Sequence, residues 1–469
     1  MSKTSNFFKT TAILSTALLS LLGACAIEDP IDYTTDGYTS GPQGGGSDDG
    51  GNTGSSNDFV EWTRQLGTSS RDEAWDMTSD SSGNVYVTGF TEGALEGSNA
   101  GSTDLFVVKY DSGGNKQWTQ QLGTSSDDFA YSIAADSSGN VYVTGKTHGA
   151  LDNNTSAGGE DLFVVKFNSA GVKQWIQQLG TSSNDNAEGI TIDSSGNIYV
   201  TGATSGAFDN NTNAGGWDLF VVKYNSSGVK QWTQQLGTSE NDLAHGIATD
   251  SSGNIYLTGH TENGSFDGFS NVGGFDLFVV KYDSAGDWKW TRQVGTASED
   301  VGDSIIADSN GDIYVAGSVG DSLDGNVHYG STDLILMKYD SDGNKVWTKQ
   351  LGSSSFDHAY GLTMDDNGNI YITGYTGGNI DGNTEFCNGA MALPGSEDWL
   401  ACVDTFVVKY DSAGDWKWTK QIGGTSSYDS GEGITTDSSG NVYLTGVTSG
   451  NLDGNTNAGE YDLFVMKLK

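Results

Sequence analysis

The chain has few basic residues and almost no proline. Its 22 Lys and Arg stand against 61 Asp and Glu, so the formal charge is −39 at pH 7. Such a surface repels nucleic acid and anionic lipid headgroups, which excludes nucleic acid as a partner. The five histidines follow no ligand spacing, and the sequence contains no zinc motif, nucleophile elbow, phosphate loop or dinucleotide fingerprint.

Residues that favour helices are also scarce. Glycine supplies 68 of the 469 residues, proline only 3, and aromatic residues reach 11% although hydrophobic residues amount to only 35%. Strands joined by tight turns account for this composition, and disorder does not, because disordered chains contain few aromatic residues. We therefore expect an all-β protein whose core is spread over many thin layers.

The first 24 residues read as an export signal. Lys3 and Lys9 precede an apolar run over 11–22, which is too short for a membrane-spanning helix and ends in Leu-Gly-Ala before Cys25. This segment resembles the bacterial lipobox, which implies a lipid on Cys25; the alternative is an ordinary signal peptide with a chance cysteine. Ala26 in place of Asp favours the outer membrane by the same resemblance. We expect an exported protein that contacts the membrane through the lipid only.

Residues 25–57 form a Gly/Ser/Asp-rich tether. The stretch GPQGGGSDDGGNTGSSN has no apolar periodicity and cannot contribute to a core. A flexible chain of this length spans roughly 30 Å on average, so it lifts the following domain away from the membrane.

From residue 58 onward the sequence is periodic, with a repeat of about 57 residues. In the unit that begins at Trp175, strands are predicted over 174–179, 187–192, 198–201 and 219–224, and both short turns carry Gly. The two middle strands are apolar on both faces, as in sheets stacked radially against each other. The marker of the repeat is a tryptophan, found at Trp62, Trp118, Trp175, Trp232, Trp290, Trp347 and Trp418.

Seven repeats of four antiparallel strands predict a seven-bladed β-propeller over 58–469. The chain starts with an outer strand at 59–66 and ends with a third strand at 463–468. We expect the first strand to complete the last blade and close the ring, which removes an exposed sheet edge. A linear solenoid is the rival arrangement, but it needs distinct capping repeats, and none is visible.

The repeat unit W-x-x-Q-x-G-T-S-S…D-S-S-G-N-[VI]-Y-V-T-G…D-L-F-V-V-K-Y resembles the bacterial SBBP β-propeller repeat. The resemblance covers about 58–469 and implies the fold, but that family is defined by its repeat and not by an activity.

Several recurring residues invite a chemical role. Tryptophans such as Trp118, Trp175 and Trp232 are expected to act as spacers between blades, with sugar stacking as the alternative. The Asp of each D-S-S-G-N turn is expected to bind turn amides. Recurring lysines, among them Lys166 and Lys223, are expected to be partly buried and paired with a recurring acid such as Asp185. The alternative is a ring of seven unpaired aspartates that binds a cation near the channel.

The long loops all fall on one side of the predicted ring. They cover 91–103, 147–160, 204–217, 261–275, 319–332, 376–403 and 448–461, and the blade connections lie on the same side. Binding surfaces usually form on such loops, so we expect the functional face here. Some loops space side-chain oxygens as Ca²⁺ ligands are spaced, although metal-free turns explain the same residues; these are Asp152, Asn154, Asp209, Asn211, Asn213, Asp453 and Asn455.

The sixth long loop carries an insertion of about 14 residues bounded by Cys387 and Cys402. With Cys25 lipidated, two cysteines remain in one loop of an exported protein, which predicts a disulfide. Trp399 and Met391 in the insertion are candidates for recognition, or they pack inward to fill the loop.

These observations favour an envelope-anchored, non-catalytic scaffold that binds a protein or a glycan through the long-loop face. The alternative is an extracytoplasmic propeller enzyme, of the polysaccharide lyase or hydrolase type, with its site at the channel mouth. His245 and His358 start inner strands but have no partner that the sequence reveals.

Overall fold

β-branched and aromatic residues between glycine-containing turns make each repeat a four-stranded antiparallel sheet. The structure, a computed structural model, describes residues 59–266, 268–380, 402–424 and 427–469. These residues form seven such sheets, and within a blade the strands follow one another from the inside of the ring outward. The seven-bladed propeller is confirmed.

Blades 1 to 4 follow one pattern. Their strands are β2 (Asp72–Ser79), β3 (Val85–Thr91), β4 (Asp104–Tyr110) and β5 (Lys116–Leu122) in blade 1; β6 (Asp128–Ala135), β7 (Val141–Thr147), β8 (Asp161–Phe167) and β9 (Lys173–Leu179) in blade 2; β10 (Asp185–Ile192), β11 (Ile198–Thr204), β12 (Asp218–Tyr224) and β13 (Lys230–Leu236) in blade 3; β14 (Asn241–Thr249), β15 (Ile255–Glu262), β16 (Phe275–Tyr282) and β17 (Trp288–Val294) in blade 4. A short 3-10 turn, Leu151–Asn153, lies in the long loop of blade 2.

Blades 5 and 6 repeat this pattern, and blade 7 takes its outer strand from the start of the chain. Their strands are β18 (Asp300–Ala307), β19 (Ile313–Val319), β20 (Asp333–Tyr339) and β21 (Lys345–Leu351) in blade 5; β22 (Asp357–Met364), β23 (Ile370–Thr376), β24 (Asp404–Tyr410) and β25 (Trp416–Ile422) in blade 6; β26 (Asp429–Thr436), β27 (Val442–Thr448), β28 (Asp462–Leu468) and β1 (Val60–Leu66) in blade 7.

Closure of the ring occurs as predicted. Strand β1 pairs antiparallel with β28, from Val60 opposite Leu468 to Leu66 opposite Leu463. The Lys467 ammonium lies 2.8 Å from the Glu61 carboxylate across this pair. A linear solenoid is therefore excluded, because its first and last repeats would not share a sheet.

The core lies between neighbouring blades. One cluster of buried side chains combines Leu162 and Val164 of blade 2 with Val200 and Phe220 of blade 3. The second and third strands are buried on both faces, as their sequence predicted. Strands extend further than predicted in blade 3, because the inner strand already pairs at Asp185 and the second strand continues to Thr204.

Each turn between an inner strand and a second strand is fixed by its aspartate, as expected. Asp193 accepts hydrogen bonds from the backbone N–H groups of Ser195 and Asn197, both at 2.9 Å. Gly196 occupies the left-handed region at φ 79°, which glycine adopts without strain. The turn aspartates therefore serve the fold.

The ring has two different faces. The short-turn face carries the D-S-S-G-N turns and the turns between third and outer strands. The long-loop face carries the loops between second and third strands and the connections between blades. Within the described ranges, no helix is long and apolar enough to span a bilayer.

Candidate functional site

A bulge in every inner strand builds the central channel. In blade 3 the register shifts between Ala187 and Gly189, so Glu188 is an extra residue opposite Gly202. A Cβ on Gly202 would lie 1.9 Å from the Asn186 carbonyl oxygen. Only a residue without a side chain fits opposite this bulge, and Gly202 of the second strand is that residue.

The bulged residues change from blade to blade, as do the residues that follow the recurring aspartates. All seven are half-buried and line a cavity of about 340 Å³ at the ring centre. They are Trp75, Tyr131, Glu188, His245, Asp303, Tyr360 and Glu432, and we call them the bulge residues. Sequence reasoning missed them as a set, although their variation inside a regular repeat was a visible signal.

The bulge residues of blades 3 and 4 form an ionic contact. The Nδ1 atom of His245 lies 2.5 Å from Oε2 of Glu188, and its Nε2 atom lies 3.0 Å from Nδ1 of His260. Burial alone would lower the pKa of His245, but the Glu188 charge and hydrogen bond outweigh it and raise that pKa. For Glu188, burial raises the pKa and His245 more than compensates, leaving it lowered. His245 therefore has a partner, Glu188, that the sequence did not reveal.

Two further bulge residues are carboxylic acids with raised pKa values. Burial, together with the nearby Glu188 charge, raises the pKa of Asp303 to about 7, although His245 opposes this shift. Burial raises the pKa of Glu432 to about 8, and the charges of Glu73 and Asp303 add to it. Glu432 accepts a hydrogen bond from the Ser430 hydroxyl at 2.5 Å, which acts in the opposite direction.

Blade 1 adds a fourth carboxylate next to its bulge residue. Asp76 occupies a position that is Ser or Gly in the other blades. Its Oδ2 atom accepts hydrogen bonds from the Ser132 hydroxyl at 2.7 Å and from the Ile133 N–H at 2.9 Å. Burial raises its pKa to about 6 against these hydrogen bonds. Asp76 therefore links blades 1 and 2 while it faces the cavity.

Aromatic side chains line the mouth of the channel on the long-loop face, in blades 6, 7, 1 and 2. Trp75 stacks on Tyr131 with ring centroids 4.6 Å apart, and Tyr428 meets Tyr461 edge-on at 5.9 Å. Arg71 bridges the two groups, since its guanidinium lies 5.3 Å from the Phe90 ring and 5.8 Å from the Tyr461 ring. We call this set the aromatic arc; it comprises Tyr131, Phe129, Trp75, Phe90, Tyr461, Tyr428, Tyr375 and Tyr360.

The basic side chains near the mouth of the channel already have acidic partners. Arg71 pairs with Glu73. Lys146, only 2% exposed, lies 2.9 Å from Glu160. Among the described residues that line the cavity there is no Lys or Arg. The cavity therefore combines several carboxylates with aromatic walls and little compensating positive charge.

The recurring lysines are partly buried, as expected, but their expected pairing with the recurring aspartates was wrong. Two of them pair with other acids, Lys338 with Asp312 and Lys467 with Glu61. The Lys166 ammonium lies over the Tyr142 ring at 4.7 Å, and that of Lys223 lies 5.0 Å from the Tyr199 ring. Asp185 is fully buried and accepts hydrogen bonds from the N–H and hydroxyl of Thr181 and from the hydroxyl of Thr204. Since such hydrogen bonds hold these aspartates, the alternative of an unpaired aspartate ring is also wrong.

The recurring tryptophans pack between blades. The ring of Trp118 faces Gly171 in a short turn of blade 2, where a Cβ would lie 2.8 Å from the indole. Trp175 and Trp232 face the corresponding turns of blades 3 and 4. Their packing agrees with a spacer role.

The loop residues considered for calcium make contacts within the protein. Asp152 lies 2.7 Å from the Lys173 ammonium, Asp209 lies 2.7 Å from that of Lys230, and Asp453 accepts a hydrogen bond from the Thr63 hydroxyl. The asparagine side chains donate to backbone carbonyls, as seen for Asn154, Asn211, Asn213 and Asn455. Over the described ranges, no three His, Cys, Asp or Glu side chains group as metal ligands. Calcium binding stays a prediction.

Other predicted sites lie outside the described residues. These are the lipidation site Cys25, the disulfide partner Cys387, and the loop residues Met391 and Trp399. Cys402 is described, just before β24, but its pairing with Cys387 stays a prediction.

Comparison with known proteins identifies the repeat. The family model described as "SBBP: Beta-propeller repeat" matches residues 61–95, 117–151, 174–209, 231–267, 289–318, 346–381 and 417–453. Two curated relatives are an uncharacterized WD repeat-containing protein of Acanthamoeba polyphaga mimivirus, 23% identical over 76% of this chain, and the regulatory protein FlaEY of Caulobacter vibrioides, 25% identical over 82%. The matches cover 34% and 38% of those proteins, so the chain spans about a third of their length.

Solved structures show a distant likeness. The Neurospora crassa Pan2 WD40 domain aligns with 86% of this chain and 95% of its own at 10% identity, with a TM-score of 0.47. A Bacteroides caccae protein of unknown function aligns with 67% of this chain and 89% of its own at 14% identity, with a TM-score of 0.38. Scores this low add nothing to the fold described above.

Proposed function

We propose that this chain, which belongs to the SBBP β-propeller repeat family, is a non-catalytic binding scaffold whose ligand docks on the long-loop face at the channel mouth. The observation that supports this is the contrast within one strand: seven aspartates recur at its start, whereas the bulge residues three positions later differ. The recurring aspartates hold the ring, whereas the bulge residues vary at a position that a ligand can reach.

Half-buried aromatic groups at the mouth support binding over a purely structural role. Trp75, Phe129 and Tyr375 are only partly covered, whereas middle-strand aromatics such as Tyr199, Phe220 and Tyr256 are completely buried. Partly exposed aromatic side chains provide large contact areas with little loss of conformational entropy on binding.

The test compares capture by the full chain with capture by two variants. The variant Trp75→Ala/Tyr375→Ala removes two rings of the aromatic arc, and Trp288→Ala removes an indole that is 55% exposed on an outer strand. After covalent cross-linking in an envelope extract, we expect the first variant to lose partners that Trp288→Ala retains. Identical partners for both variants would contradict the proposal.

We also propose that the protein is held at the cell envelope by a lipid on Cys25. The LGAC segment and the preceding apolar run support this. Cys25→Ser should move the protein from the membrane fraction to the soluble fraction. Retention of Cys25→Ser in the membrane fraction would contradict lipid anchoring.

A channel-mouth enzyme is the second candidate, and the carboxyl groups favour it. Asp303 and Glu432 have pKa values of about 7 and about 8 through burial, and such values suit general acids and bases near neutral pH. If the chain cleaves envelope polysaccharide, the release of reducing ends should fall with Glu432→Gln. An unchanged rate in that variant, or no release by the unmodified chain, would leave the scaffold as the function.

A further inference from the structure

We infer that the central cavity binds an organic cation, an alkylammonium or guanidinium group, between the carboxylates and the aromatic rings of the bulge residues. This inference rests on the proposed function, because it names the ligand class for the same channel. The volume of the central cavity, about 340 Å³, lies at the lower end of the range for small-ligand pockets. It matches a group the size of a long basic side chain.

The first argument is the uncompensated charge of the cavity. Asp303 faces it without a hydrogen bond from any described residue, and Glu432 receives one hydrogen bond, from Ser430. His245 is the one basic side chain among the described lining residues, and it is held by Glu188. Half-buried carboxylates that lack partners are unfavourable unless they bind a proton or a counter-charge.

The second argument is the aromatic wall, which is independent of the acids. The rings of Trp75 and Tyr131 line one side of the cavity, and Tyr360 lines another. In the order of the blades, Glu432 stands between Tyr360 and Trp75. A cation there meets carboxylate oxygens and ring faces together, and ring faces attract alkylammonium and guanidinium groups.

Charge selects a cation over other ligands that bind aromatic residues. A neutral sugar would stack on the rings and accept hydrogen bonds, but it would leave the repulsion between Asp303, Glu188 and Glu432 in place. An acidic polysaccharide would increase that repulsion. A bound cation offsets it, whereas in the free cavity proton binding at the raised pKa values of Asp303 and Glu432 offsets it in part.

The test is calorimetric titration of the full chain with two probes, spermidine and the tripeptide amide Gly-Arg-Gly. Because the chain is strongly acidic overall, the titration is done at 0.15 M salt, which screens diffuse binding to the surface. We expect saturable one-to-one binding of at least one probe. Spermidine binding alone would indicate a free polyamine, and binding of the tripeptide alone would indicate a basic side chain of a partner.

Two variants with the same charge change separate the cavity from the surface. The double variant Asp303→Asn/Glu432→Gln should weaken binding of the probe at least about tenfold, because both substitutions remove a charged acceptor for its N–H groups. Asp342→Asn/Asp366→Asn removes two exposed carboxylates on the short-turn face and should leave the affinity unchanged. Equal affinity of the cavity variant and the unmodified chain, or no saturable binding of either probe, would overturn the inference.

Proton release provides a readout that surface attraction would not produce. A bound cation lowers the raised pKa values of Asp303 and Glu432, so binding at pH 7.5 should release protons, measured as a buffer-dependent heat. If neither probe binds while Trp75→Ala/Tyr375→Ala still loses its cross-linked partners, the cation inference fails and the proposed scaffold stands. If the probes bind but those partners persist, the scaffold at this face fails.

Discussion

Two positions of the inner strand, three residues apart, differ in nearly every respect. At the first stands an aspartate in all seven blades, such as Asp185, buried and hydrogen-bonded to threonine. At the second stand the bulge residues, of which Glu188, His245 and Asp303 belong to successive blades and face the cavity. The comparison teaches that a residue repeated in every blade holds the ring together. A position whose residue changes between blades is free to take another role.

The bulge itself is the condition for this difference, so the largest expected effect comes from removing it. In Gly202→Ala the new Cβ would lie 1.9 Å from a backbone oxygen and 2.8 Å from the Cα atom of Ala187. Neither atom can move without breaking the pairing of β10 and β11, so we expect a loss of more than about 3 kcal/mol in the free energy of unfolding. Urea denaturation measures it.

Gly274→Ala is the matched control for that substitution. Its nearest heavy atom beyond the chain neighbours would be a side-chain carbon of Glu299 at 3.7 Å, an ordinary contact. We expect a change within about 0.5 kcal/mol. Similar losses for Gly202→Ala and Gly274→Ala would show that the bulge does not depend on the missing side chain.

The sequence predicted the recurrent features and not the bulge. The repeat, the turns, the buried middle strands and the closure by β1 all follow from local patterns of about 57 residues. The bulge needs the cross-strand register of Ala187 and Gly202, which appears only once two strands are paired. For the same reason the partner of Asp185 was misjudged, because Thr204 is brought to it by that pairing.

The next largest effect separates the two positions by one substitution of the same kind. Asp185→Asn places an amide NH2 where the carboxylate accepts hydrogen bonds from Thr181 and Thr204, so we expect a loss of about 2 kcal/mol. Asp303→Asn removes a charge that burial disfavours and no hydrogen bond from a described residue, so we expect equal or higher stability. Urea denaturation of both variants at pH 8 measures this difference.

A loss in both variants would break the comparison. In that case Asp303 would hold the ring as Asp185 does. A gain in both would instead mean that burial of charge dominates at the two positions alike.

A smaller effect concerns how stability depends on pH. The folded-state pKa values of Asp303, about 7, and Glu432, about 8, exceed the ordinary values of 3.8 and 4.5. A raised carboxyl pKa means that the folded state binds the proton more tightly, so its contribution to stability is present at low pH and is lost as pH rises through the folded pKa. We expect the unfolding free energy to fall by roughly 1 kcal/mol between pH 6 and pH 8, a figure reduced for the partial exposure of both groups.

The recurring aspartates at the start of the inner strands change stability in a lower pH range. Burial raises the pKa values of Asp242, Asp300 and Asp357 to about 6, so their contribution is lost between about pH 4 and pH 6. Asp303→Asn/Glu432→Gln should therefore flatten the profile above pH 6 and make the decline below pH 6 shallower without abolishing it, because the remaining decline there belongs to the buried aspartates. Thermal unfolding across this range measures the profile, and a decline above pH 6 that is the same in variant and unmodified chain would assign it to other groups.

The smallest expected effect on stability tests whether bulge residues of neighbouring blades act on one another. The Glu188 carboxylate raises the pKa of His245 against the effect of burial, whereas burial lowers the pKa of His260 and the His245 charge adds to that. In Glu188→Gln the attractive charge is gone and burial remains, so the pKa of His245 should fall below 6.5. Because His245 is then neutral at pH 6.5, the pKa of His260 should rise slightly. NMR titration of the imidazole protons measures both shifts, and their opposite directions distinguish a direct charge effect from a general rearrangement. If both pKa values move together, or neither moves, the bulge residues do not form the connected ionic group that the 2.5 Å contact between Glu188 and His245 indicates.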